Sequence, residues 1–248
     1  MKEPWCCPAA EEVVVFVAQE LVRQGVIASW VVADTPSRVV TRCHACRSNS
    51  PNPRKCTGWR IRFGRPATTL RFVPVAIDTH TVDLRLECDL DFSSKTLSKP
   101  RDWCAAPLAN CTVAIEVYEA GTDDLIVRHH LDLANPGQAG PAWHLQLGGK
   151  PAQGKKPDTM WLKVPRWPSS PTDFILIVEF VLFSFYPEAW KRVSGTNPWR
   201  EHVKTAERLV LTHYMRRLDT YMNTTSTANS WLAAQANNAS DWNPRPAK

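Results

Sequence analysis

The 248-residue sequence has no apolar stretch long enough to cross a membrane: its longest run, Phe174 to Tyr186, has thirteen residues and contains Glu179 and Ser184, against ~20 for a span. A hydrophobic signal core is missing too, because Glu11 and Glu12 interrupt the place where one would lie. The expectation is a cytoplasmic protein with no membrane contact, in which the N-glycosylation patterns at Asn110, Asn223 and Asn238 have no consequence. Glycine is scarce, with ten residues and none clustered as a nucleotide loop needs, which argues against a phosphate-cradling loop. Neither a nucleophile elbow nor a metalloprotease helix motif is present, so the sequence leans towards a non-enzyme. A second Cys-x-x-Cys pair is lacking, and so is any carboxylate between Pro36 and Pro66.

What is present is ordinary globular composition, 44% apolar and 22% charged, with eleven Trp and twenty Pro. This composition predicts a packed core joined by irregular, proline-bounded connections. The formal net charge is +6, and it is local. Arg38, Arg42, Arg47, Arg54, Lys55, Arg60, Arg62 and Arg65 form a run of eight positive groups. Between Asp78 and Asp91 the sign reverses, with Asp78, Asp83, Glu87, Asp89 and Asp91 against Arg85. An anionic partner belongs to the first of these segments.

Residues 8–25 read as a helix, with Pro8 in its first turn, a stripe of Val13, Phe16, Val17, Glu20 and Leu21, and Gly25 as a stop. Residues 26–35 are apolar and β-branched, which predicts a strand, and residues 41–58 read as a long loop. Residues 81–92 alternate without a fault. Val82, Leu84, Leu86, Cys88, Leu90 and Phe92 face one way, and Asp83, Arg85, Glu87, Asp89 and Asp91 face the other. Residues 68–77 read as its partner, 111–119 and 124–133 as a hairpin around Gly121, and 143–147 as a fifth strand. Ser170 as N-cap, Pro171 at N1 and Asp173 at N3 announce an all-apolar, centrally buried helix. Pro187 begins a short helix, and Asn197-Pro198 begins a long one that runs to about Met222.

The fold class expected is therefore α+β: an N-terminal helix, an antiparallel meander of about five strands, and C-terminal helices packed on one face of the sheet. Residues 1–222 would form one domain with a basic cysteine-containing loop region at 36–65, and residues 223–248 an Asn/Thr/Ala-rich tail anchored by Trp231-Leu232 and Trp242. The order of elements is similar to that of ubiquitin-conjugating and related RWD domains. Those enzymes carry a thioester-forming cysteine after the fourth strand, whereas the last cysteine here is Cys111, at the start of the third meander strand. The resemblance thus implies the layout and not the conjugating activity.

Five groupings carry chemistry. Cys43 and Cys46, with Cys56, have the spacing of three ligands of a structural zinc, the fourth coming from His44, Cys6 or Cys7; the alternative is a loop of reduced thiols. The basic run, with Trp59 and Phe63 at its end, suits nucleic acid or another polyanion, through phosphate contacts and base stacking. Its competitor is internal: residues 60–63 would form a strand whose arginines pair with the acidic face of residues 83–91. His130 and Asp132 share one face of a strand, and His144 lies across from them if the last two strands pair, which would suit a metal-dependent hydrolase or simply a polar surface. Glu179, alone in the apolar helix, requires a partner such as Arg166, His202, Arg208 or His213. Trp161, Trp167, Trp190 and Trp199, interleaved with basic residues, fit either a contact surface or caps over helix ends. Together these predict a binding or adaptor subunit of a larger assembly that contacts nucleic acid or another polyanion through Arg38, Arg42, Arg47, Arg54, Lys55, Trp59, Arg60, Arg62 and Arg65. The alternatives are the hydrolase using His130, Asp132 and His144, and a scaffold that binds only protein.

Overall fold

A computed structural model describes residues 7–27, 39–42, 58–63, 70–93, 108–133, 143–148 and 167–224. Helix α1 (Cys7–Arg23) is followed by strands β1 (Val40–Arg42), β2 (Gly58–Phe63), β3 (Leu70–Arg71), β4 (Val75–Ile77), β5 (His80–Ser93), β6 (Leu108–Glu119), β7 (Leu125–Leu133), β8 (Trp143–Leu147) and β9 (Trp167–Pro168). Three helices follow among the described residues: α2 (Phe174–Phe185), α3 (Pro187–Ser194) and α4 (Asn197–Thr224). The α+β class and the helix–sheet–helices order agree with the sequence. Among the described residues the sheet has nine strands rather than five, all paired antiparallel in the order β1-β2-β5-β6-β7-β8-β9, with β3 and β4 also on β5. No helix among the described residues is long and apolar enough to cross a membrane.

The alternation in β5 sets the geometry. Val82, Leu84, Leu86, Cys88, Leu90 and Phe92 are all buried, and the intervening charged residues lie on the opposite face. The inner face meets the helices in one core. Phe63 stacks on Phe174 with ring centroids 4.9 Å apart, Phe72 stacks on Tyr186 at 5.9 Å, and Val14, Val17 and Leu21 of α1 join the same cluster. Tyr186 donates a hydrogen bond to the Val73 carbonyl and ties the α2–α3 junction to the strand partner of β5. Gly25, at φ +68, ends α1 in the left-handed region, where glycine carries no Cβ penalty. The expected strand partner at 68–77 divides into β3 and β4 around Pro74, which has no N–H for the ladder. Residues 28–35 of the expected strand at 26–35 lie outside the described residues.

Two expectations about α2 need correction. Its N-cap is Asp173, which accepts from the Leu176 N–H at 3.2 Å, and Ser170 lies outside the helix. The helix is also not buried all round: Phe180 is 51% and Phe183 59% exposed. An all-apolar sequence shows that a helix can be surrounded, but the number of neighbours decides whether it is.

Candidate functional site

The outward face of the sheet gathers most of the residues singled out from the sequence. Arg60 and Arg62 on β2 lie opposite Asp91 and Asp89 on β5. The Arg60 guanidinium grips Asp89 through both carboxylate oxygens, its Nε 2.5 Å from Oδ1, and Arg62 Nε lies 3.9 Å from the same carboxylate. The hydrogen bond to Asp89 holds the Arg60 pKa above its ordinary value, against the opposing effect of burial. Trp59 points the other way, is 4% exposed and stacks on Phe92 with centroids 4.9 Å apart. The structure thus places Trp59 in the core, with no free ring for a base, and Arg60 on an internal carboxylate. Arg38, Arg47, Arg54, Lys55 and Arg65 lie outside the described residues, as does the side chain of Arg42.

Further along the same face, Asp132 on β7 lies directly opposite His144 on β8, and His130 lies opposite Gln146. His130 Nε2 is 3.1 Å from Asp132 Oδ1, and His144 Nε2 is 3.9 Å from Asp132 Oδ2. The three side chains converge as strand pairing predicts. Gln146 Nε2 lies 3.3 Å from His130 Nδ1. With that amide donating, Nδ1 accepts and a neutral His130 carries its proton on Nε2, towards Asp132. The two atoms are close but poorly aligned, and among the described residues neither has a hydrogen-bond partner. The cluster is nearly enclosed, with 16% of the His130, 19% of the Asp132 and 2% of the His144 side chain exposed. Among the described residues no group of three His, Cys, Asp or Glu is placed to hold a metal ion.

Sequence reasoning missed the centre of this face. Glu116 on β6 is 1% exposed; it accepts a 2.6 Å hydrogen bond from the Tyr118 hydroxyl and lies 3.5 Å from Arg128 Nε. Arg85 covers the Tyr118 ring at 3.9 Å and reaches Asp123 at 2.9 Å. The signal was available in the strand period, since Ala114, Glu116 and Tyr118 alternate with Val113, Ile115 and Val117. What it could not show is that the middle strand of a sheet has both faces covered.

The two described thiols offer no nucleophile. Cys88 and Cys111 are buried, and burial pushes the Cys88 pKa up to about 12 and that of Cys111 well above its ordinary value. Cys6, Cys43, His44, Cys46 and Cys56, the proposed zinc set, lie outside the described residues, as does the Cys7 side chain. Glu179 accepts a 3.3 Å hydrogen bond from the Trp199 indole; of its four expected partners, Arg166 and the side chain of His213 lie outside the described residues. Trp199 itself is 1% exposed, Trp190 packs edge-on against Phe183, and Trp167 stands 61% exposed. No family matches this chain, and comparison with curated proteins and with solved structures returns no match.

Proposed function

We propose that the chain is a non-catalytic binding subunit of a larger assembly, contacting nucleic acid or another polyanion through its early basic segment. The observation that carries this reading is charge placement: eight positive groups between Pro36 and Pro66 with no carboxylate among them. Asp89 holds Arg60 and lies 3.9 Å from Arg62, and the contact set of this reading is Arg38, Arg42, Arg47, Arg54, Lys55 and Arg65. Six phosphate contacts on duplex DNA correspond to a slope of about −5 in log affinity against log salt. A retardation assay with single- and double-stranded DNA and RNA between 50 and 200 mM salt tests this. The expected result is binding at low salt that collapses at high salt. Arg47→Gln and Arg54→Gln each reduce the slope by about one, while Arg60→Gln leaves it unchanged. Absence of binding at low salt overturns the reading.

A second reading, a scaffold that binds protein only, is favoured by the Arg60–Asp89 clamp and by the burial of Trp59. Co-purification with a single protein partner, free of nucleic acid after nuclease treatment, is its signature. The assembled His130–Asp132–His144 cluster supports the hydrolase reading only if a divalent-ion screen shows turnover that His130→Ala abolishes.

A further inference from the structure

Among the described residues the helices roof the inner face of the sheet on one side only. One register row runs Phe63–Cys88–Val113–Leu131–Leu145–Trp167. Along it exposure rises from 1% at Phe63 and 3% at Val113, through half-buried Leu131 and Leu145, to 61% at Trp167. Beside the open half, α2 presents Leu176, Phe180 and Phe183, spaced i, i+4, i+7, and α4 presents Leu211 and Met215, spaced i, i+4. Between them lies a cavity of about 280 Å³ whose walls include Ile115, His129, Leu131, Leu176, Phe180 and Leu211. Burial lowers the His129 pKa, so its ring is neutral at pH 7 and the cavity is uncharged.

We propose that this cavity is the seat of the chain's own C-terminal segment, with Trp231 as the anchor. Three observations carry it, and none depends on the basic segment. The first is reach. From Leu211 to Thr224 α4 advances thirteen residues, about 20 Å at 1.5 Å per residue. Trp231 lies seven residue steps beyond Thr224, and an extended chain of that length covers at most about 24 Å. A segment folding back along α4 therefore brings Trp231 to the level of Leu211 with little slack. The second is charge: residues 225–240 contain no Asp, Glu, Lys or Arg, matching an uncharged cavity. The third is fit. Ser230 followed by Trp-Leu-Ala-Ala-Gln-Ala has the N-cap and composition of a short helix that docks an apolar side in a groove. A dry cavity of ~150 Å³ holds benzene, so the larger one here takes an indole.

The test is a photo-crosslinking residue at position 215 of the full-length protein, with the products mapped by mass spectrometry. Met215 is 55% exposed, so the replacement leaves the core untouched. The expected result is an intramolecular crosslink to the peptide containing Trp231, reduced at least fivefold by Trp231→Ala and unchanged by Trp242→Ala. Hydrogen exchange of residues 176–183 and 127–131 should rise at least threefold in Trp231→Ala. Crosslinks to a second copy or to residues 134–166, or no crosslink at all in a correctly folded protein, overturn the proposal.

Discussion

Glu116 and Asp89 are both carboxylates that face an arginine on a neighbouring strand, and burial separates what each contributes. The Glu116 side chain is 2% and that of Arg128 13% exposed, so Glu116→Ala removes a carboxylate from beside a buried cation and costs about 3–5 kcal/mol. Arg60 and Asp89 are 41% and 22% exposed, and water competes for both. A double-mutant cycle on Arg60 and Asp89 should return a coupling below ~1 kcal/mol; chemical denaturation of the four variants checks both values. Asp173 gives a pH signature. Burial pushes its carboxyl up to about 6 from 3.8, outweighing the Leu176 and Ile175 N–H groups that favour the anion. The folded state then holds the proton more tightly than the unfolded chain. The resulting stability is present in full below 3.8 and is lost as the pH rises through about 6, a change of roughly 3 kcal/mol. Asparagine keeps the cap acceptor but cannot ionise. The difference in urea midpoint between wild type and Asp173→Asn should therefore shift in favour of the variant from pH 4 to pH 7, whereas Asp173→Ala should lose about 1 kcal/mol through the missing cap.

At the scale of elements, α2 combines a structural side and an open one. Phe174, 1% exposed and stacked on Phe63, should cost about 3–5 kcal/mol when truncated to Ala, and Phe183, 59% exposed, under ~1 kcal/mol. Thermal unfolding of the two variants distinguishes a helix buried all round, for which both losses would be large. This two-sided character was not legible in the sequence, where FILIVEFVLFSF reads alike on every face. The two faces of strand β5 were legible, because an unbroken period of two over residues 81–92 leaves no choice of face; the strand itself runs one residue further at each end. Strand β2 was harder: in GWRIRF the alternation spans only six residues at the end of a long polar stretch. Its pairing with the acidic face was foreseen only as a competitor, since period reveals faces but not which strand lies alongside. The His130–Asp132–His144 group was readable for the opposite reason: the short connection from β7 to β8 makes them neighbours, and the register then fixes which side chains oppose each other.

At the scale of the molecule, the long strands among the described residues lie inside and the short ones outside. β5 and β6 have fourteen and twelve residues, and the ends of the strand order, β1 and β9, have three and two. The last of these contains Pro168, opposite His144 on β8. A pyrrolidine ring there offers no amide hydrogen to a newcomer, and Ser169 already donates its own to the Trp143 carbonyl. Replacing Pro168 with Val should restore a donor on the rim beside the bare indole of Trp167. The expected outcome is concentration-dependent growth of high-molecular-weight species in light scattering, with the monomer's circular dichroism unchanged. With that outcome, one imino acid would be the stopper against fibre growth at the last described strand, beside an aromatic side chain left bare.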